Sequence, residues 1–180
     1  MGMRRILLVI LSVLALPASA SSPDAILEDY FTVIETTDFR NLTELFVPER
    51  MLDIKKLMVD VVKSESRGAM AFEKQVLGGT LSDREADKAS ADFYLGKIFR
   101  ELASSAENVH FSLQNHTILG EVTENDDQVH IVARLKVVQS DKSADDIVVY
   151  SFTRVNDRWY MELPPILKNY LGLIEGSLKR

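Results

Sequence analysis

Apolar residues return every three or four positions from Asp24 to Glu35, where Ile26, Leu27, Tyr30, Phe31 and Ile34 form one stripe. That spacing predicts an amphipathic first helix with its stripe turned to a core. The polar turn Thr36-Thr37-Asp38 follows, in which Asp38 suits a helix cap, and Leu42, Leu45 and Phe46 then point inward from a short segment. Pro48 fits the first turn of a second long helix, whose Met51, Ile54, Met58 and Val61 step by three and four. Gly78-Gly79 ends any helix carrying Met70, Phe72 and Val76. Ser82-Asp83-Arg84-Glu85 is a capping box, so another helix starts there, with Ala91, Leu95, Ile98 and Leu102 on its buried face and its end before Asn108.

Beyond Ser105 the period changes from about 3.6 to 2, the signature of strands bounded by Asn and Asp turns. A two-residue turn at Asn156-Asp157 sets Val155 against Arg158, Arg154 against Trp159, Phe152 against Met161 and Tyr150 against Leu163. Tyr150, Phe152, Arg154, Trp159, Met161 and Leu163 then share the core face, and Ser151, Thr153, Tyr160 and Glu162 take the other. A turn around Asn125-Asp126 places Ile118, Gly120 and Val122 inward with Ile131, Ala133 and Leu135, while His130, Arg134 and Lys136 face out. Phe111 and Leu113 carry the apolar set on odd positions but Ile118 and Val122 on even ones, so one phase slip, a β-bulge, is expected near Gln114 to His116. Pro164-Pro165 ends the last strand, and Leu167, Tyr170, Leu171 and Ile174 predict a C-terminal amphipathic helix. The fold class is therefore α+β: N-terminal helices packed on a curved, bulged antiparallel sheet, closed by a C-terminal helix.

Composition adds location. Arg4 and Arg5 precede the apolar run Ile6–Leu16, and Pro17 and Ala18-Ser19-Ala20 follow it, which reads as an export signal over residues 1–20. Eleven residues, broken only by Ser12, at about 1.5 Å each span only about half of a bilayer core, so no permanent membrane anchor is expected. Residues 21–180 form one domain, long enough to build its own core. Without Met1–Ala20, 19 basic residues stand against 27 acidic ones, a charge of -8 that disfavours nucleic acid as a partner. The chain has no cysteine, which excludes thiol catalysis and disulfide scaffolding. A bacterial periplasm is the expected compartment, with secretion the alternative.

The order of helix, turn Thr37-Asp38-Phe39-Arg40-Asn41-Leu42, further helices and a bulged meander closing on Asp157-Arg158-Trp159-Tyr160-Met161 resembles the NTF2-like, or SnoaL-like, superfamily. The resemblance implies a curved sheet wrapped into a cone whose open end holds a small ligand. A more distant likeness is to periplasmic lipid-carrier domains. The long helical stretch from Arg67 to Ser105 and the extra C-terminal helix depart from the family pattern.

Enzymes of that superfamily place a histidine or carboxylate base opposite a tyrosine or second acid inside an apolar cone, where burial tunes both. His116, at the expected bulge, is the inward histidine and the one catalytic candidate, with Tyr30 or Tyr150 as donor. The ligand-binding candidates are Tyr30, Ile34, His116, Tyr150, Phe152 and Trp159. No inward carboxylate accompanies them. His110, His116 and His130 lie on different faces, so neither a metal nor a cofactor is expected. Arg154 beside Trp159 suits a surface cation-π pair. An inner face rich in aromatic and aliphatic groups and poor in ionisable ones favours retention over proton transfer. The leading expectation is an exported non-enzymatic module that holds a small apolar ligand or a protein partner, with a homodimer through the outer sheet face as one form of it. A SnoaL-like isomerase, lyase or hydrolase using His116 is the alternative.

Overall fold

A computed structural model of the chain describes residues 21–79, 81–105, 109–139 and 142–179. The export signal expected at Met1–Ala20 lies outside them. Among the described residues six α-helices, α1 (Pro23–Thr36), α2 (Pro48–Lys63), α3 (Arg67–Phe72), α4 (Asp83–Lys88), α5 (Ala91–Ser105) and α6 (Pro165–Leu178), accompany four strands, β1 (Val109–Asn125), β2 (Gln128–Gln139), β3 (Lys142–Val155) and β4 (Arg158–Met161). The strands form one antiparallel meander in the order β1-β2-β3-β4. The class is α+β, as the change of period near Ser105 requires.

Local chemistry sets the helix boundaries. Ser22 caps α1 through the amide of Ala25, and Ser82 and Glu85 complete their reciprocal capping box on α4. Pro48 opens α2, whose Met51, Ile54, Met58 and Val61 are all buried. A π-helical turn at Glu73–Leu77 extends α3 and stops where Gly78 and Gly79 take positive φ. The single helix expected from Ser82 to Ser105 is two. Ala89 is extended, and the Ser90 hydroxyl accepts from the amide of Phe93 to start α5 afresh. On α5, Leu95 and Ile98 are buried with Tyr94 and Phe99, whereas Ala91 and Leu102 are only half-buried. Asp38 does not cap a helix, because its carboxylate takes the side chain and amide of Arg40 instead.

Helix α1 lies against the inner side of the sheet. Phe46 and Met161 form a short parallel bridge, and the Val47 amide donates to the Met161 carbonyl at 3.2 Å, which pins the segment after α1 to β4. Leu167, Leu171 and Ile174 bury α6 against α2 and α3. The Ser66 hydroxyl donates to the Ser177 carbonyl at 3.0 Å, so the end of α6 is held directly at the start of α3.

The β3–β4 hairpin turns at Asn156 and Asp157, both at positive φ, and pairs Val155 with Arg158, Arg154 with Trp159 and Phe152 with Met161, as expected. Tyr150 has no partner at Leu163, since β4 ends at Met161. In β1 the register shifts between Ser112 and Thr117, where a bulge was expected, and shifts again between Ile118 and Gly120. The second shift inserts Leu119 and reverses the phase beyond it. Gly120 therefore meets Val132 and Val122 meets His130, so both residues move from the expected inner face to the outer one.

Gly68 sits where α3 meets the end of α6. A Cβ there would stand 2.6 Å from the Ser177 carbonyl oxygen, which is backbone and cannot swing away. Gly68→Ala is predicted to wedge α3 from α6 and to cost about 1–3 kcal/mol in urea unfolding. An unchanged midpoint would show that α6 docks without this contact.

Candidate functional site

The inner face of the sheet is packed with rings. Tyr30 lies 6.0 Å from Tyr150, 6.1 Å from Phe46 and 6.4 Å from Phe99, centroid to centroid, and Phe31 lies 5.6 Å from Tyr150. Phe152, Met161 and Ile131 are buried beside them. Of the expected ligand-binding residues, Tyr30 and Tyr150 therefore meet each other and Phe152 is buried in the same cluster, which fills the space that a cone would leave open. Burial raises the Tyr30 phenol far above its ordinary value, with the neighbouring Tyr150 adding to it. Burial likewise raises Tyr150, with the charge of Asp146 second. Both are held as neutral packing groups.

His116 stands where the first bulge of β1 meets α1. Its ring lies 4.4 Å from that of Phe31, and its Nε2 is 2.8 Å from Glu28 Oε1. The bulge thus aims the histidine at a carboxylate on the rim of α1. Ile34 is half-buried at the core margin. Trp159 is also half-buried, with the Arg154 guanidinium 5.6 Å from its ring, the expected cation-π pair, while Arg154 Nε donates to Asp127 at 3.0 Å.

Trp159 helps to line an open groove of about 330 Å³ between α1, the turn after it and the β3–β4 hairpin. Ile26, Val33 and Leu45 supply further apolar wall, and Arg40, Arg158, Asp29 and Glu44 the charges. Arg40 is committed to Asp38, whose carboxyl it holds down at about 2 by side-chain and backbone hydrogen bonds. The Arg158 guanidinium donates to the Glu44 carbonyl. A second open groove, of about 320 Å³, runs between α2 and α6 over Ile54, Leu57, Leu163 and Leu171. Neither groove enters the ring cluster.

The outer face carries features that spacing alone did not reveal. Val122, Ile147 and Val149 are 57%, 59% and 47% exposed, and Val132 lies between Gly120 and Val149 in the same row. Next to them His130 Nδ1 is 2.9 Å from Ser151 Oγ, and its Nε2 is 2.8 Å from Glu124 Oε2. This serine–histidine–glutamate order lies on an open sheet surface outside both grooves, where no described element encloses it. It joins adjacent strands as polar cross-strand contacts do. The Thr153 hydroxyl donates to Glu162, which also receives Arg50 at 3.4 Å.

In class, the protein is a set of helices packed on one face of an open four-stranded antiparallel sheet. No family model matches the chain, and no curated protein matches it. A solution structure of a SEC-C motif containing protein from Rhodopseudomonas palustris is similar over 81% of this chain and 78% of that one, at 15% identity and a TM-score of 0.43. These findings overturn the NTF2-like and SnoaL-like assignment and the likeness to lipid carriers. The physical reason agrees with them: a cone needs a hollow inner face, and here Tyr30, Phe46, Tyr150, Phe152 and Met161 occupy it.

The buried phenols generate an alkaline prediction. The folded state keeps protons on Tyr30 and Tyr150 above pH 10.0, the ordinary phenol value, where the unfolded chain loses them. Stability is thus fully present below that pH and falls above it, by about 1.4 kcal/mol per pH unit for each such tyrosine. Their phenolate absorbance is expected to appear together with unfolding, as followed by circular dichroism. Ionisation of all five tyrosines near pH 10.0 in a chain that stays folded would contradict the packing.

Proposed function

We propose that the protein is an exported, non-enzymatic binding module that holds a protein partner against the outer side of β2 and β3. The observation that carries this reading is the contrast between the two sheet faces. Helices and rings fill the inner face, while Val122, Val132, Ile147 and Val149 form an apolar row that no described element covers. Contiguous exposed aliphatic groups rimmed by polar ones mark protein contact surfaces. Here the rim is Glu124, His130, Arg134, Asp145 and Tyr160. Export rests on the N-terminal pattern, and the acidic balance of residues 21–180 weighs against nucleic acid.

A second reading, a small apolar ligand, is favoured by one observation: Trp159 lines a groove whose volume lies within the range of small-molecule sites. Its wall mixes charges of both signs with aliphatic groups, and its arginines already have partners, which supports it less well than the outer row supports a protein contact.

Native mass spectrometry of the mature chain, purified from its own compartment, tests both. A retained polypeptide is expected, and Ile147→Lys with Val149→Lys should release it. Both side chains are exposed, so the fold should keep its stability to within about 0.5 kcal/mol. Retention of a small molecule alone, lost on Trp159→Ala and indifferent to the lysine variant, would replace this reading with the groove.

A further inference from the structure

We infer that the partner is a second copy of this chain, joined through the free edge of β3. The inference rests on the reading above through Ile147 and Val149, the two residues of the outer row that lie on this edge strand, and it names the partner. β4 pairs with β3 only from Phe152 to Val155, and the Glu162 amide adds one bond to the Ser151 carbonyl at 2.8 Å. Pro164-Pro165 then turns the chain away into α6. From Ser143 to Val149, β3 has β2 on one side and no described strand on the other.

The direction of the main chain along that edge follows from alternation. Ser151 bonds toward β4 and the Arg154 amide bonds toward the β2 side, to the Asp127 carbonyl, so odd residues of β3 face the edge and even ones face β2. Asp145, Ile147 and Val149 accordingly present their N–H and C=O groups to the edge and their side chains to the outer face. An exposed row of this kind is a template for another strand.

The two sheet edges are not equivalent. β1 shifts register against β2 in three places, and such bulges twist an edge away from further pairing. β3 holds one unbroken register with β2 from Lys142 to Thr153, so its edge is regular. Proline and lysine, which commonly seal edges, do not occur from Ser143 to Val149.

Charge then selects the register. A two-fold pairing centred on Asp146 or Asp145 would set that carboxylate directly against its own copy, which is destabilising. Centred on Ile147, the pairing sets Ile147 against Ile147 of the second copy and Asp145 against Val149, with no like charges opposed. Each of these pairs exchanges both of its N–H···O=C bonds. It is the longest register over the free segment that avoids facing carboxylates, and it joins two four-stranded sheets into one by the commonest symmetry of homo-oligomers.

Three variants of the mature chain test this by sedimentation velocity and oxidative cross-linking. Ile147→Pro removes an edge-facing amide without deleting a bond to β2, and it should leave a folded monomer where the parent is a dimer. Leu52→Lys lies on the exposed side of α2, outside the outer row and away from this edge, and should remain dimeric. Ile147→Cys introduces the only thiol in the chain, at a pair whose Cα atoms would lie about 5.5 Å apart, within disulfide range, and should cross-link on mild oxidation. A dimer that survives Ile147→Pro and fails to cross-link through Ile147→Cys overturns the inference. A parent that is monomeric at every concentration but still retains a different polypeptide overturns self-pairing and leaves the binding-module reading standing. A monomeric parent that retains no polypeptide overturns both.

Discussion

The packing of one face of α1 against the inner side of the sheet is the contact on which the rest of this structure depends. Ile26, Leu27, Tyr30 and Phe31 are buried there, and Tyr30 alone touches rings from α1, the segment before α2, α5 and β3. Aromatic pairs at these distances add about 0.5–1.5 kcal/mol each to the area that they bury. More important is what they displace. A ring cluster packed at the density of a protein interior has no place for a guest, so the same contact that stabilises the domain removes the cavity that its element order suggests.

The proposed contact surface is accordingly the outside of the sheet. The bulge re-aims His116 toward the helices, where it meets Phe31 and Glu28 at the rim of α1. Its geometry ties the irregular part of β1 to the first helix. On the other face the inserted residue at Leu119 turns Val122 outward, in line with Val132, Val149 and Ile147. One extra residue in one strand thus makes an apolar surface out of side chains that simple alternation assigns to the core.

The two ends of the sheet are finished differently, and the difference follows from chain geometry. β1 is long and irregular, which suits an edge facing solvent. β3 is long and regular, yet β4 covers only its last few residues before Pro164-Pro165 redirects the chain. The unsatisfied stretch between Ser143 and Val149 is therefore a product of strand-length mismatch. Water can serve its main-chain groups, whereas its aliphatic side chains gain from any contact that removes them from water.

Local rules on the sequence determined the helices at α1, α2 and α6, the capping box at Ser82, the stop at Gly78-Gly79 and the register of the β3–β4 hairpin. Each is set by interactions within about one turn or across one tight loop, which residue order specifies directly. The break at Ala89-Ser90 escaped that reading, because helical spacing continues through it and only the Ser90 cap, with Asp92 held by Thr43, separates α4 from α5. The second bulge in β1 escaped it as well, since Ile118, Gly120 and Val122 alternate correctly and the insertion at Leu119 is decided by pairing with β2. Whether the interior is hollow or filled was likewise a tertiary matter. Tyr30, Tyr150 and Phe152 have the same pattern whether they line a cavity or close it, and only the distance between α1 and the sheet, set by all the packed side chains together, chooses between the two.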